Sequence, residues 1–233
     1  MTPLQDIAVP PYRLSGVVYG TLLNDPATLA ALGDAVHAPP YKAPPQAPVL
    51  YLKPRHTLAG SGAAVEVPAD GGELEIGATL GLVIGRTACR VTEMDALAHV
   101  GGVVLVADLC VPHTAVYRPC VRLRARDGSC LIGPRVVSGK AVADPNAIEL
   151  TVRVDGRVAQ TVRTAAMTRP AARLLRDVTE FMTLRPGDLL LLGLAAGAPR
   201  ARAGQAFSIE APALGRLDGR LVAETATTTE ADA

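Results

Sequence analysis

Short apolar runs, each closed off by glycine, proline or charge, set the pattern of this chain. They are Gly16-Val-Val-Tyr-Gly-Thr-Leu-Leu, Val49-Leu-Tyr-Leu, Leu80 to Ile84, Val103 to Ala107, and Leu189 to Leu192. Runs of that length and punctuation predict strands. In Val152-Arg-Val-Asp-Gly-Arg-Val, the Asp155-Gly156 pair supplies the positive backbone angles of a two-residue turn and predicts a hairpin. Helical signals are confined to three segments. Pro26 to Gly33 and Thr92 to Val100 each fit a short helix, the second with Thr92 as N-cap and Asp95 three residues on. Thr168 to Leu184 is the strongest, with Thr168 as cap, Pro170 in the first turn, and Leu174, Leu175, Val178, Phe181 and Met182 on one face. The expected fold is α+β, mainly β, with few short helices.

Composition narrows the class. The 233 residues are 49% hydrophobic and 19% charged, which excludes a disordered chain. No apolar run approaches the roughly 18 residues of a membrane span, and Met1 to Arg13 has no basic-then-apolar leader pattern, so a soluble, cytoplasmic protein is expected. Twenty-three basic residues against 22 acidic leave a net charge of +1, and aromatics make up 3% with no tryptophan; neither suits nucleic acid. We expect one domain over residues 16–223, preceded by an extension (1–15) and followed by a polar tail (224–233), with a proline-rich loop at 39 to 48.

Short catalytic motifs are absent. Gly60-Ser61-Gly62 is not a nucleophile elbow, no glycine-rich stretch ends in Gly-Lys-Ser/Thr, and the four histidines lie in separate segments. Cys110, His113, Cys120 and Cys130 are the residue types of a zinc site but lack its paired close spacings, so free thiols are the favoured reading. Asp108 ends an otherwise apolar run, where a carboxylate needs a bonded partner or a cation; strand-end aspartates are more often caps. Lys53 follows an apolar strand and either orients an anionic ligand or marks the strand's end. Arg118, Arg122, Arg124 and Arg126 form a cluster whose last three members alternate, which fits a solvated strand face or a carboxylate-binding strand equally well.

Five blocks in order carry a resemblance: Tyr51-Leu-Lys-Pro, Leu82-Val-Ile-Gly, Ala107-Asp108, Arg126-Asp-Gly-x-x-x-Ile-Gly-Pro, and Thr183-Leu-Arg-Pro-Gly-Asp-Leu-Leu-Leu-Leu-Gly. From about residue 16 to 223 the chain resembles the fumarylacetoacetate hydrolase family. Pro40-Tyr-Lys-Ala-Pro-Pro, Tyr117-Arg-Pro and Arg126-Asp-Gly look like the N-terminal half, or separate N-terminal subunit, of its isomerase/decarboxylase branch in 4-hydroxyphenylacetate (homoprotocatechuate) breakdown. The resemblance implies a mixed β-roll that forms dimers or larger assemblies. It also implies a divalent cation, generally Mg2+, that chelates a 2-oxo dicarboxylate or tricarboxylate and stabilises its enolate. Lys53, Arg124 and Arg126 are then the candidate contacts to substrate carboxylates.

The resemblance also marks departures. Metal-binding members carry Glu-x-Glu on the strand entering Val-Ile-Gly, and Gly77 and Thr79 occupy those positions, leaving Asp108 as the one matching ligand. Glu73 and Glu75 form a Glu-x-Glu upstream, but using them requires a four-residue register shift. Thr28 and Ala31 stand where the family has a His-x-x-Glu pair, Arg124 replaces an active-site lysine, and Gly193-Leu194-Ala195 replaces Gly-Thr-Pro. Two readings compete. In one, the chain supports an assembly, as homodimer or hetero-oligomer, whose paralogous subunit has a complete site. In the other it is catalytic by itself, through a rearranged metal-poor site or as an acylpyruvate hydrolase.

Overall fold

The computed structural model describes residues 8–9, 12–13, 17–69, 72–114 and 120–224. A two-stranded ribbon of β1 (Ala8–Val9) and β2 (Tyr12–Arg13) precedes β3 (Val18–Leu22). Helix α1 (Pro26–Ala30) and a 3-10 turn at Gly33–His37 lead to β4 (Val49–Lys53), β5 (Leu58–Gly60) and β6 (Ala64–Val67). Two long strands follow, β7 (Leu74–Ile84) and β8 (Val100–Cys110). After them come the one-turn helix α2 (Val121–Arg124), β9 (Cys130–Ile132), β10 (Val137–Ser138), β11 (Glu149–Val154) and β12 (Arg157–Arg163). Helix α3 (Ala171–Thr179), β13 (Leu189–Leu191), β14 (Arg200–Ala201), β15 (Ala206–Ala211) and β16 (Gly215–Ala223) complete the order.

The strands form two main sheets. In the larger, the order is β4-β3-β13-β7-β8-β9-β5, with β10 beside β8 and β14 beside β7; in the smaller it is β12-β11-β15-β16-β6. Both parallel and antiparallel pairs occur, as a mixed roll requires. Between the sheets, Leu80, Leu82, Leu105 and Leu131 pack with Leu150, Val152, Ile209 and Leu217. On the other face of the larger sheet, Val18, Val83, Val104, Val106 and Leu191 form a second apolar cluster. Burial on both faces explains why β7 and β8 read as unbroken apolar runs instead of alternating ones. It also lets them run well past the expected limits, so that Gly77, Thr79 and Asp108 all lie inside strands.

The hairpin forms as expected, with Asp155 at φ 47° and Gly156 at φ 77° joining β11 to β12. Helix α3 buries Leu174, Leu175 and Val178, each worth about 1.5–3 kcal/mol of apolar transfer. It is shorter than the pattern predicts. Pro170 takes the cap position, and the chain leaves the helix after Glu180 because Leu184 exchanges backbone hydrogen bonds with Ala88, leaving Phe181 64% exposed. Thr92 to Val100 makes only a 3-10 turn at Ala96–His99; Thr92 and Asp95 bond each other, and Ala96 is the one buried residue of that turn. Arg122, Arg124 and Arg126 do not alternate on a strand. Arg124 donates its backbone N–H to Cys120 and Ala125 to Val121, which winds the segment into α2.

Residues 115–119, including Tyr117 and Arg118, lie outside the described residues, as do 225–233 of the expected tail. Among the described residues no helix is long and apolar enough to cross a membrane.

Candidate functional site

The register of the two longest strands builds the site. Gly77 on β7 lies opposite Asp108 on β8, and Glu75 lies opposite Cys110. Side chains two residues apart share a strand face, so these positions look the same way. They open into a cleft of about 490 Å³ closed by α1 and by the chain after β13. Thr28, Ala31, Gly77, Asp108, Arg124 and Leu194, drawn from five separate parts of the sequence, all line it. Thr79, one step further along β7, is buried and stands outside the lining, its hydroxyl 3.4 Å from the Leu80 carbonyl oxygen.

Asp108 is fully buried and enclosed by positive and donor groups. Lys53 Nζ lies 2.6 Å from its Oδ1, an ion pair whose angle is not that of a hydrogen bond. The Tyr51 hydroxyl donates to Oδ2, and Arg124 Nη1 lies 3.9 Å from the same oxygen. Tyr51 and Lys53 reach it together because they stand two apart on β4. Gly20, opposite Tyr51 on β3, leaves the space that the Tyr51 ring occupies; any Cβ there would collide with it. The Arg124 guanidinium stacks over that ring at 4.9 Å, a cation–π contact. Burial, reinforced by Asp108, pushes the Tyr51 pKa well above the ordinary tyrosine value, so Tyr51 stays a donor. Burial opposes the charge of Arg124, but the groups around it, the carboxylates of Asp108 and Glu75 among them, outweigh it and its pKa is raised.

Lys53 does not line the cleft. Its ammonium is held behind it by the carbonyl oxygens of Arg124 at 2.5 Å and Leu109 at 3.1 Å and by Ser129 Oγ at 3.2 Å. Arg126 also faces away; its Nη2 donates to Glu224 at 2.7 Å, and Glu224 accepts from the Ala69 backbone as well, which fastens the end of β16. Of the three candidate carboxylate contacts, only Arg124 reaches the cleft.

Glu75, His113 and Arg200 also line the cleft, and sequence reasoning did not place them there. The Glu75 carboxylate is matched by Arg200 at 3.1 Å. Its same-face spacing from Gly77 was the signal that could have found it. Cys110 and Cys130 are buried, and burial pushes both thiols up to about 12, which makes them inert neighbours of Asp108. All four cysteines are free, and no group of three or more His, Cys, Asp or Glu that could hold a metal occurs among the described residues.

Asp108 and Gly77 do not offer a divalent cation the ligands it needs. Both Asp108 oxygens already face Lys53, Tyr51 and Arg124, and Gly77 offers no donor. A Cβ at Gly77 would sit 2.7 Å from the Asp108 carbonyl oxygen and 2.8 Å from a Leu194 methyl, so Leu194 occupies the volume a longer side chain would need. Two cationic groups, Lys53 and Arg124, already lie beside the one carboxylate.

The fumarylacetoacetate (FAA) hydrolase C-terminal family matches residues 17–222. Over 216 residues the chain is 34% identical to the 4-hydroxyphenylacetate degradation bifunctional isomerase/decarboxylase of Escherichia coli, covering 93% of this chain and 49% of that protein. A protein of the same description from Salmonella dublin is 34% identical over 211 residues, 91% of this chain and 48% of that one. The chain thus spans about half the length of these curated relatives. Among solved structures, 5-carboxymethyl-2-hydroxymuconate delta-isomerase from Mycobacterium smegmatis superposes with a TM-score of 0.76 at 26% identity, covering 91% of this chain and 80% of that one. Fumarylpyruvate hydrolase from Pseudomonas aeruginosa, in complex with Mn2+ and pyruvate, shares the fold with a TM-score of 0.76 at 23% identity, covering 91% of each.

Proposed function

Because the chain belongs to the fumarylacetoacetate hydrolase family, we propose that it serves an isomerase/decarboxylase assembly of 4-hydroxyphenylacetate breakdown without carrying the chemistry itself. The assembly would decarboxylate 5-carboxymethyl-2-oxo-hex-3-ene-1,7-dioate and ketonise 2-hydroxyhepta-2,4-diene-1,7-dioate. A paralogous half or subunit with a complete Glu-x-Glu site would hold Mg2+ and do the reaction in the cytoplasm, and residues 16–223 would form the domain that shapes and stabilises it.

The observation that carries this reading is the state of Asp108. A carboxylate bound by Lys53 and Tyr51, with Arg124 beside it, is not free to hold a metal. Enolate chemistry also needs a group that moves a proton, and at the family's acid/base positions the cleft presents Thr28 and Ala31. Thr28 Oγ1 instead lies 3.3 Å from Asp25 Oδ2, where it supports the start of α1. The half-length match to the bifunctional relatives supports a paired partner.

The test is turnover by the purified chain. With Mg2+ present we expect no decarboxylation and no ketonisation, and full activity only when a paralogous half with intact glutamates is co-purified. Magnesium-dependent turnover by the chain alone, abolished in Asp108→Ala, would overturn the proposal. So would release of pyruvate or acetate from an acylpyruvate, which the hydrolase reading requires.

A further inference from the structure

Among the described residues, the cluster of charges at the cleft and directly behind it carries more positive charge than it neutralises. Glu75 and Arg200 cancel at 3.1 Å, but Lys53 and Arg124 both face the single carboxylate of Asp108. Lys53 has the close contact, and Arg124 stays beyond hydrogen-bond reach at 3.9 Å. Arg124 Nη1 is buried and has no hydrogen-bond partner among the described residues. A buried guanidinium N–H without an acceptor is costly, and an arriving anion would remove that cost. Leu22, Leu23, Leu32 and Leu194 supply apolar walls to the same cleft, beside the polar Thr21, Thr28, His113 and Thr114.

We infer that this cleft binds one short aliphatic monocarboxylate, its carboxylate on Arg124 and its chain against the leucines, with no metal ion. One unmatched cationic charge sets one carboxylate. The apolar walls select an aliphatic body, and about 490 Å³ is within the usual range of small-molecule sites. The inference rests on the non-catalytic reading above and gives the dismantled site a binding role. With no metal to chelate it, a 2-oxo group is expected to add little.

Calorimetric titration of the whole chain in excess EDTA tests this with sodium butyrate, butyramide and 2-oxobutyrate as probes. Butyrate is expected to bind saturably at one per chain, and 2-oxobutyrate with similar affinity. Butyramide, which lacks the charge, should bind at least about tenfold more weakly. Arg124→Met should weaken butyrate by about the same factor, and Leu194→Trp should block the cleft while leaving the ion pair in place. The probe comparison uses the unaltered chain, so it decides the matter even if a variant misfolds. Equal binding of butyrate and butyramide, absence of saturable butyrate binding, or a requirement for Mg2+ would each overturn the inference. Such a failure differs from failure of the non-catalytic reading, which would show as turnover.

Discussion

Replacing Asp108 with alanine is expected to destabilise the chain by about 3–5 kcal/mol, the usual cost of leaving one partner of a buried ion pair unmatched. Lys53 and Asp108 are both fully buried, so the ammonium would be left without its counter-charge. The carbonyl oxygens and the Ser129 hydroxyl around Lys53 accept its hydrogen bonds but supply no negative charge. Arg124 beside it adds a second cation with nothing to balance it. Asp108→Asn, which keeps the shape and one acceptor for Tyr51, should lose less. Adding Lys53→Met to Asp108→Ala should recover part of the loss by removing the stranded charge. Urea unfolding of the three variants measures these differences. A loss below about 1 kcal/mol for Asp108→Ala would mean that the aspartate is not paired as described.

The second large effect concerns the strand position that would have to change to rebuild a carboxylate site. Gly77→Glu should destabilise the fold by about 1–3 kcal/mol through overpacking, with a further cost for a new buried carboxylate. The reason is local. The added Cβ meets the Asp108 carbonyl oxygen across the ladder and the Leu194 methyls above it. Leu194→Ala in the same chain should relieve the side-chain part of the clash but not the backbone part. The double variant should therefore be more stable than the sum of the two single changes predicts. The same unfolding measurement checks it, and simple additivity would show that Leu194 does not fill the space over Gly77. Neither variant should gain a magnesium site, since Asp108 stays committed to Lys53, Tyr51 and Arg124.

Much of this arrangement was legible in the chain. The apolar runs at 80–84, 103–107 and 189–192 became the central strands, because residues buried on both faces leave a continuous hydrophobic signature. Asp155-Gly156 fixed its hairpin through backbone angles alone. What escaped was decided by tertiary contacts. Arg122 to Arg126 looked like an alternating strand, yet Lys53 reaches the Arg124 carbonyl oxygen from another strand and the segment winds into a turn instead. The helix from Thr168 stopped early because Leu184 pairs with Ala88, a partner nearly a hundred residues away and invisible to local periodicity.

The site was half legible for the same reason. Thr28, Ala31, Gly77, Asp108, Arg124 and Leu194 were marked singly, and the fold brings them to one cleft. Lys53 and Arg126 carry the right charge for a ligand contact but are used elsewhere, one behind Asp108 and the other at Glu224. Tyr51 was quoted only as part of a block, although its two-residue spacing from Lys53 already put both on one face of β4.

We propose that Lys53, Arg124 and Tyr51 have taken over the carboxylate that a metal would use. Calorimetric titration of the purified chain with Mg2+ tests it most directly. No specific heat is expected, in buffer alone or with 2-oxobutyrate present. A stoichiometric site of submillimolar affinity, lost in Asp108→Asn, would contradict it.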